Sequence, residues 1–153
     1  MSVLADALVV IDLQKGVSTS DYPLVNLETI LQQVNKTIAI YRTANHPIIF
    51  IQHEDDELIY DSQEWTLFDE LDAMSSDIFI RKTHANAFYE TNLKDQLDQL
   101  KIKSIELCGA QTDFCVDATV KFAHGLHYQL MMQQGLSTTS DNLFLTGEKT
   151  VAF

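Results

Sequence analysis

Proline and glycine are scarce, two and five in 153 residues. A chain so poor in breakers leaves no place for a Pro- or Gly-rich linker, and nothing in it repeats or falls to low complexity. One continuous domain over residues 1–153 is expected, long enough to bury a real core. Basic side chains are few as well. Ten Lys and Arg face 22 Asp and Glu, for a net charge of −12. Such a chain suits neither nucleic acid nor an anionic membrane, and neither is expected as a partner. No apolar run approaches the ~20 residues that span a bilayer. The opening MSVLADALVVIDLQKG lacks a basic leader segment and reads straight into a strand, so no signal peptide is expected. The only two cysteines, Cys108 and Cys115, fall in a predicted strand and the helix after it, which argues against a disulfide. Reduced thiols without an export signal point to the cytoplasm. There is no phosphate-binding glycine loop, so no nucleotide cofactor is expected.

What is present is an alternation of apolar runs and amphipathic stretches. Ala7 to Ile11 form a continuous apolar run ending in Asp12, the pattern of a parallel strand buried on both faces. Val25 to Thr43 predicts the longest helix, with Leu27, Leu31, Val34, Ile38 and Tyr41 on one face. Asn45-His46-Pro47 stops it. Ile48 to Gln52 is a second strand, ending in His53-Glu54-Asp55-Asp56. Glu57 to Ser76 reads as a long loop carrying Trp65, with one helical turn near Leu67 to Leu71. A loop of that length in a compact domain usually has a job. Ile78 to Arg81 is a third strand leading into Lys82. Thr91 or Asn92 caps a helix with Leu93, Leu97 and Leu100 inward. HYQLMMQQ is read as a fifth strand, GLSTTSD as a loop, and Thr146 as the cap of a short last helix.

The centre of the chain is SIELCGAQTDFCVDATVKFAHG, Ser104 to Gly125. Its first half reads as a buried strand. Its second half reads as a helix, with Val116, Val120 and Ala123 on one face and Gly125 at the cap position. Cys115 then sits at a helix N-terminus, where partial positive charge favours a thiolate. Alternating strands and helices predict an α/β fold, a mostly parallel sheet with helices on both faces. Ligands in such sheets bind beyond the carboxyl ends of the strands. Three capable residues stand at three such ends: Asp12, Lys82 and Cys115. Singly, each has a plainer role, as a loop cap, a solvated charge and a small core side chain. Together they compose an activated nucleophile, with a thiol, a carboxylate to take its proton and a cation to stabilise the anion.

VVIDLQ, KTHANAF and GAQTDFCVDATVKFAHG, in that order, resemble the isochorismatase-like cysteine hydrolase family, which includes nicotinamidases and N-carbamoylsarcosine amidohydrolase-like enzymes. The resemblance implies a three-layer α/β/α sandwich with strand order 3-2-1-4-5, the family's sixth strand being lost or not identifiable in the sequence. It implies a triad of Asp12, Lys82 and Cys115, a cis peptide between Ala110 and Gln111, and an oxyanion hole from the N–H groups of Gln111 and Cys115. Gln14, His53, Trp65 and Phe88 are expected to wall the substrate pocket. The implied activity is cleavage of an amide or ureido C–N bond of a small molecule through a thioester. A vinyl ether hydrolase of the isochorismatase type and a catalytically weak binding or assembly module on the same fold are the alternatives. The chain departs from the family pattern in carrying Gln134-Gly135 where an Asp-Ala or Asp-Gly pair is usual, and in stopping where the last helix begins. The family's metal-binding members use an Asp-x-His pair and a further His after strand two. Here His53 has acidic neighbours but no second His nearby, and His84, His124 and His127 match no ligand spacing, so no metal is expected. The short last helix leaves Leu130, Met132 and Leu143-Phe144-Leu145 poorly covered, which predicts a homodimer or larger homo-oligomer.

Overall fold

The computed structural model describes residues 3–153. The strands are β1 (Ala7–Ile11), β2 (Ile48–His53), β3 (Ile78–Lys82), β4 (Ser104–Ala110), β5 (Gln129–Met131) and β6 (Ser137–Thr138). The helices are α1 (Leu27–Thr43), α2 (Leu93–Gln99), α3 (Asp117–Gly125) and α4 (Gly147–Ala152). All strand pairings are parallel, in the order β3-β2-β1-β4-β5, with β6 also paired to β4.

Side chains alternate across a strand, so the all-apolar β1 feeds two cores at once. Leu8 and Val10 point to one face, where they meet Phe50, Cys108 and the inner stripe of α1: Leu31, Val34, Ile38 and Tyr41. Ala7, Val9 and Ile11 point to the other, against Ile49, Ile51, Leu93 and Leu97 of α2, and Ala123 of α3. The result is three layers with β1 and β4 at the centre. Helix α1 ends where Asn45 turns left-handed (φ 59°), just ahead of Pro47.

The structure differs from the sequence expectations at five places. The sixth strand exists. Ser137 and Thr138, read as loop, pair with Gly109 and Ala110. Strand β5 is three residues rather than eight and covers only the first half of β4, leaving the second half of that longer strand open for β6. No helix forms at 67–71, only a single turn closed by Leu71 N–H on the Phe68 carbonyl. There the 57–76 segment is held by backbone bonds instead, Phe68 N–H to the Leu13 carbonyl and Lys15 N–H to the Thr66 carbonyl. Leu100 lies beyond the end of α2 and is exposed, whereas Leu93 and Leu97 are buried. Gly125 is the last helical residue, and the chain reverses at His127 (φ 69°). Thr146 does cap α4, its hydroxyl accepting from Lys149 N–H at 3.3 Å.

Gly109 leaves no room for a side chain. It stands opposite Ile11 with φ +116°, and a Cβ there would lie 2.1 Å from the Ile11 carbonyl oxygen. Both the dihedral and the backbone contact exclude a side chain. Gly109→Ala is expected to lower stability by about 3 kcal/mol through overpacking and strain, measured by denaturant unfolding. A loss near zero would show that β1 and β4 can part without cost.

Candidate active site

Strand ends β1, β2 and β3 and the turn after β4 converge on one buried ammonium. Lys82 is the last residue of β3, level with His53 at the end of β2, and is 1% exposed. Its Nζ lies 2.8 Å from Asp12 Oδ2, 2.9 Å from His53 Nδ1 and 3.2 Å from Cys115 Sγ. An ammonium has three hydrogens, and each has one acceptor here. Asp12 follows β1, is 3% exposed, and adopts a left-handed backbone (φ 49°) with its N–H bonded to the Ile51 carbonyl. Its Oδ1 has no hydrogen-bond partner. Cys115 sits in a single wide helical turn, Thr112–Val116, that joins β4 to α3, and the Ala110–Gln111 peptide before that turn is cis.

Because His53 Nδ1 accepts from Lys82, its proton sits on Nε2, which faces Asp55 Oδ2 at 3.2 Å. Burial and then the Lys82 charge push the His53 pKa down against the opposing pull of Asp12 and Asp55, so the ring is neutral. Asp55 itself is fixed by the N–H groups of Glu57 and Leu58, both bonded to Oδ1. Asp12, His53 and Cys115 offer ligand atoms within 4.8 Å of one another, a grouping that could hold a cation. The Lys82 ammonium already stands within hydrogen-bond reach of all three. A divalent ion would have to displace it, so the trio does not fit a metal while Lys82 is charged.

The thiol differs from its expected acidity. Burial raises the Cys115 pKa first, and the neighbouring Asp12 charge raises it further, outweighing the Lys82 ammonium; it is pushed up to about 12. The resting group is a thiol beside a carboxylate, not a preformed thiolate. The alkylation rate of Cys115 by iodoacetamide should therefore keep climbing above pH 9, towards about 12. A plateau reached below the ~8.5 of an ordinary thiol would contradict this assignment. Cys108, fully buried in β4, should not label in the folded chain.

Asp12, His53, Gln111 and Cys115 border a cleft of about 400 Å³ together with Tyr22 and Phe114. The other expected wall residues stand elsewhere. Gln14 is fully buried and acts as a tie. Its amide donates to the carbonyls of His53 and Trp65 at 2.9 and 2.8 Å, and its oxygen accepts from His53 N–H at 2.8 Å. Trp65 packs edge-on against Tyr60 rather than on the cleft. Phe88 belongs to the core under α3, against Phe122 and Tyr128. Gln134 is exposed and is not among the cleft residues. Tyr22 and Phe114 went unnoticed in the sequence. The position of Phe114 beside Cys115 was the one available signal for either.

A family model for the isochorismatase domain matches residues 6–142. This chain belongs to the isochorismatase family. It carries that family's hydrolase fold. A crystal structure of an isochorismatase family protein superposes with a TM-score of 0.94 at 46% identity, covering 95% of this chain and 88% of the other. The secreted isochorismatase effector Isc1 of Verticillium dahliae is 28% identical over 118 residues, 74% of this chain and 62% of that protein. The isochorismatase family protein YddQ of Bacillus subtilis is 26% identical over 144 residues, 89% of this chain and 80% of that protein. The match thus spans less than two thirds of the fungal relative's length and four fifths of the bacterial one's.

Proposed function

We propose that this isochorismatase-family protein is a cysteine hydrolase that cleaves an amide or ureido C–N bond of a small molecule through a thioester on Cys115. The observation that carries the reading is the Lys82 ammonium shared between the Asp12 carboxylate and the Cys115 sulfur at the floor of the cleft. Among more distant relatives are nicotinamidase 3 of Arabidopsis thaliana, at 25% identity, and streptothricin hydrolase of Streptomyces noursei, at 23%. The first name denotes amide cleavage and both denote hydrolysis.

The resting thiol needs a base at the moment of attack. Asp12 has a free oxygen to accept the proton, while Lys82 holds the developing sulfur charge. The sulfur bonds to the carbonyl carbon. Backbone N–H groups of Gln111 and Cys115 receive the oxyanion, a contribution of ~3 kcal/mol per donor. Asp12 returns the proton to the nitrogen, the C–N bond breaks, and the amine departs. Asp12 then takes a proton from water, whose oxygen displaces the sulfur, and returns it to the departing sulfur, leaving a carboxylic or carbamic acid, a restored thiol and a free Asp12 carboxylate. A vinyl ether hydrolase would have no use for the assembled thiol, and a passive binding module would have none for a buried ion pair that costs desolvation. The test is amine or ammonia release from a panel of small amides and ureido compounds, nicotinamide included, by wild type and Cys115→Ser. Release by wild type alone is expected. Release from no amide, with cleavage of vinyl ethers, would favour the alternative.

Two unpaired thiols fit a reducing compartment such as the cytoplasm. Among the described residues no helix is long and apolar enough to cross a membrane. We also infer a homodimer. Leu143 and Phe144 are nearly fully exposed, Phe144 at 90%, with Met132 and Phe153 exposed as well. A second copy would bury these exposed apolar side chains against its own. Net charge opposes association, so the dimer should tighten with salt. Sedimentation should give twice 17.3 kDa at micromolar concentration, more completely at moderate than at low salt. A 17.3 kDa species at both would refute it.

A further inference from the structure

A second cavity of about 560 Å³ adjoins the cleft over Cys115, and Tyr22, Gln111 and Phe114 border both. Every formally charged side chain along the two is a carboxylate: Asp12, Asp55 and Glu57 within, Asp21, Asp113 and Asp141 beyond. Among the described residues no Lys or Arg lines either cavity. Lys82 is buried beneath the floor with all three hydrogens engaged. The carboxylates differ in how far they are committed. Asp113 accepts from the Thr139 hydroxyl and Asp141 from Gly147 N–H. The Asp21 and Glu57 carboxylates make no hydrogen bond or ion pair among the described residues, and both residues are exposed. Asp12 is buried, borders the inner cavity, and has an acceptor oxygen without a donor.

The shared rim carries a second, independent feature. Tyr22 and Phe114, 67% and 58% exposed, are large aromatics left open to solvent where the two cavities meet. The backbone beneath them is fastened. Tyr22 N–H donates to Thr19 Oγ1, the Tyr22 carbonyl accepts from the Ser140 hydroxyl, and Phe114 N–H donates to the Gln111 carbonyl. Ring faces attract cations, more so when solvent is displaced. Carboxylates in a concave, low-dielectric wall concentrate cations and repel anions.

We propose that the substrate of this cleft is cationic: a small amide or ureido compound whose end remote from the scissile carbonyl bears an ammonium, quaternary ammonium or guanidinium group. That group would lie between Tyr22 and Phe114, with Asp21 and Glu57 supplying the unneutralised charge. The inference rests on Cys115 being the nucleophile at the cleft floor.

Three methanethiosulfonates of like size test it: one bearing trimethylammonium, one neutral, one bearing sulfonate. Each forms a mixed disulfide with Cys115 and releases methanesulfinate, whether or not any amide is hydrolysed. Rates are divided by those with a free small thiol and measured at about 0.1 M and about 1 M salt, where screening lengths are ~10 and ~3 Å. The cationic reagent should lead the anionic one by about tenfold or more, and part of that lead should survive high salt. Asp21→Asn with Glu57→Gln should shrink the ratio, as should Phe114→Ala. A ratio equal to that of the free thiol, or one unmoved by these variants and erased by salt, would overturn the inference and leave only the effect of net charge. A second arm does not need the thiol. Benzyltrimethylammonium should shift the backbone amide resonances of Tyr22 and Phe114 in Cys115→Ser, and benzenesulfonate should not. Equal response to both would also overturn the inference. Failure of every reagent to label Cys115, with the binding arm positive, would instead count against the cysteine mechanism alone.

Discussion

Lys82→Met is expected to cost the fold about 3–5 kcal/mol, the usual penalty for removing one partner of a buried ion pair, and to abolish turnover. Lys82 and Asp12 are both buried and 2.8 Å apart. Without the ammonium, Asp12 becomes a lone carboxylate in a dry site, His53 Nδ1 loses its donor, and Cys115 loses the cation that holds its charge. Denaturant midpoints of wild type and Lys82→Met at neutral pH measure this. A deficit near zero would mean that the pair is not coupled as the geometry indicates. Lys82→Arg should not rescue, since a planar guanidinium cannot place three hydrogens on three acceptors around one nitrogen.

Asp12→Asn is expected to move two properties of the same sulfur in opposite directions. Turnover should fall by about 10²–10⁴, the usual worth of a general base. Alkylation of Cys115 at pH 8 should accelerate, because the neighbouring Asp12 charge holds the thiol pKa up. Each unit by which the thiol pKa falls is worth about tenfold in thiolate. An unfolded or distorted variant would not give faster labelling of Cys115 alone, with Cys108 still protected. If labelling and turnover fall together, Asp12 is acidifying the sulfur rather than waiting for its proton, and the order of proton transfer given above is wrong.

The sheet and the convergent trio were legible because their signals are local. An apolar run that ends abruptly in Asp12, another that ends in Lys82, and a Gly-Ala-Gln-Thr-Asp turn ahead of Cys115 each mark a strand end within a few residues. Parallel topology then brings those ends to one edge of the sheet. What could not be read depends on contacts far apart in the chain. Gln14 is a tie only because the 57–76 segment and the end of β2 both cross it. Phe88 faces the core because α3 and the start of β5 meet above it. Ser137-Thr138 has no strand pattern and pairs only where β4 outruns β5. The acidity of Cys115 depends on such contacts too. The helix terminus is visible in sequence, whereas the burial and the through-space charge of Asp12 that outweigh it are not.

The central claim is that Cys115 becomes covalently acylated. Its most direct test is acid quenching of wild type during turnover of a cleaved amide from the panel, followed by mass measurement of the peptide containing Cys115. The account predicts a mass increase equal to the acyl group, removed by hydroxylamine and absent in Cys115→Ala, which should not turn over. Continued turnover by Cys115→Ala, with no adduct on wild type, would contradict it.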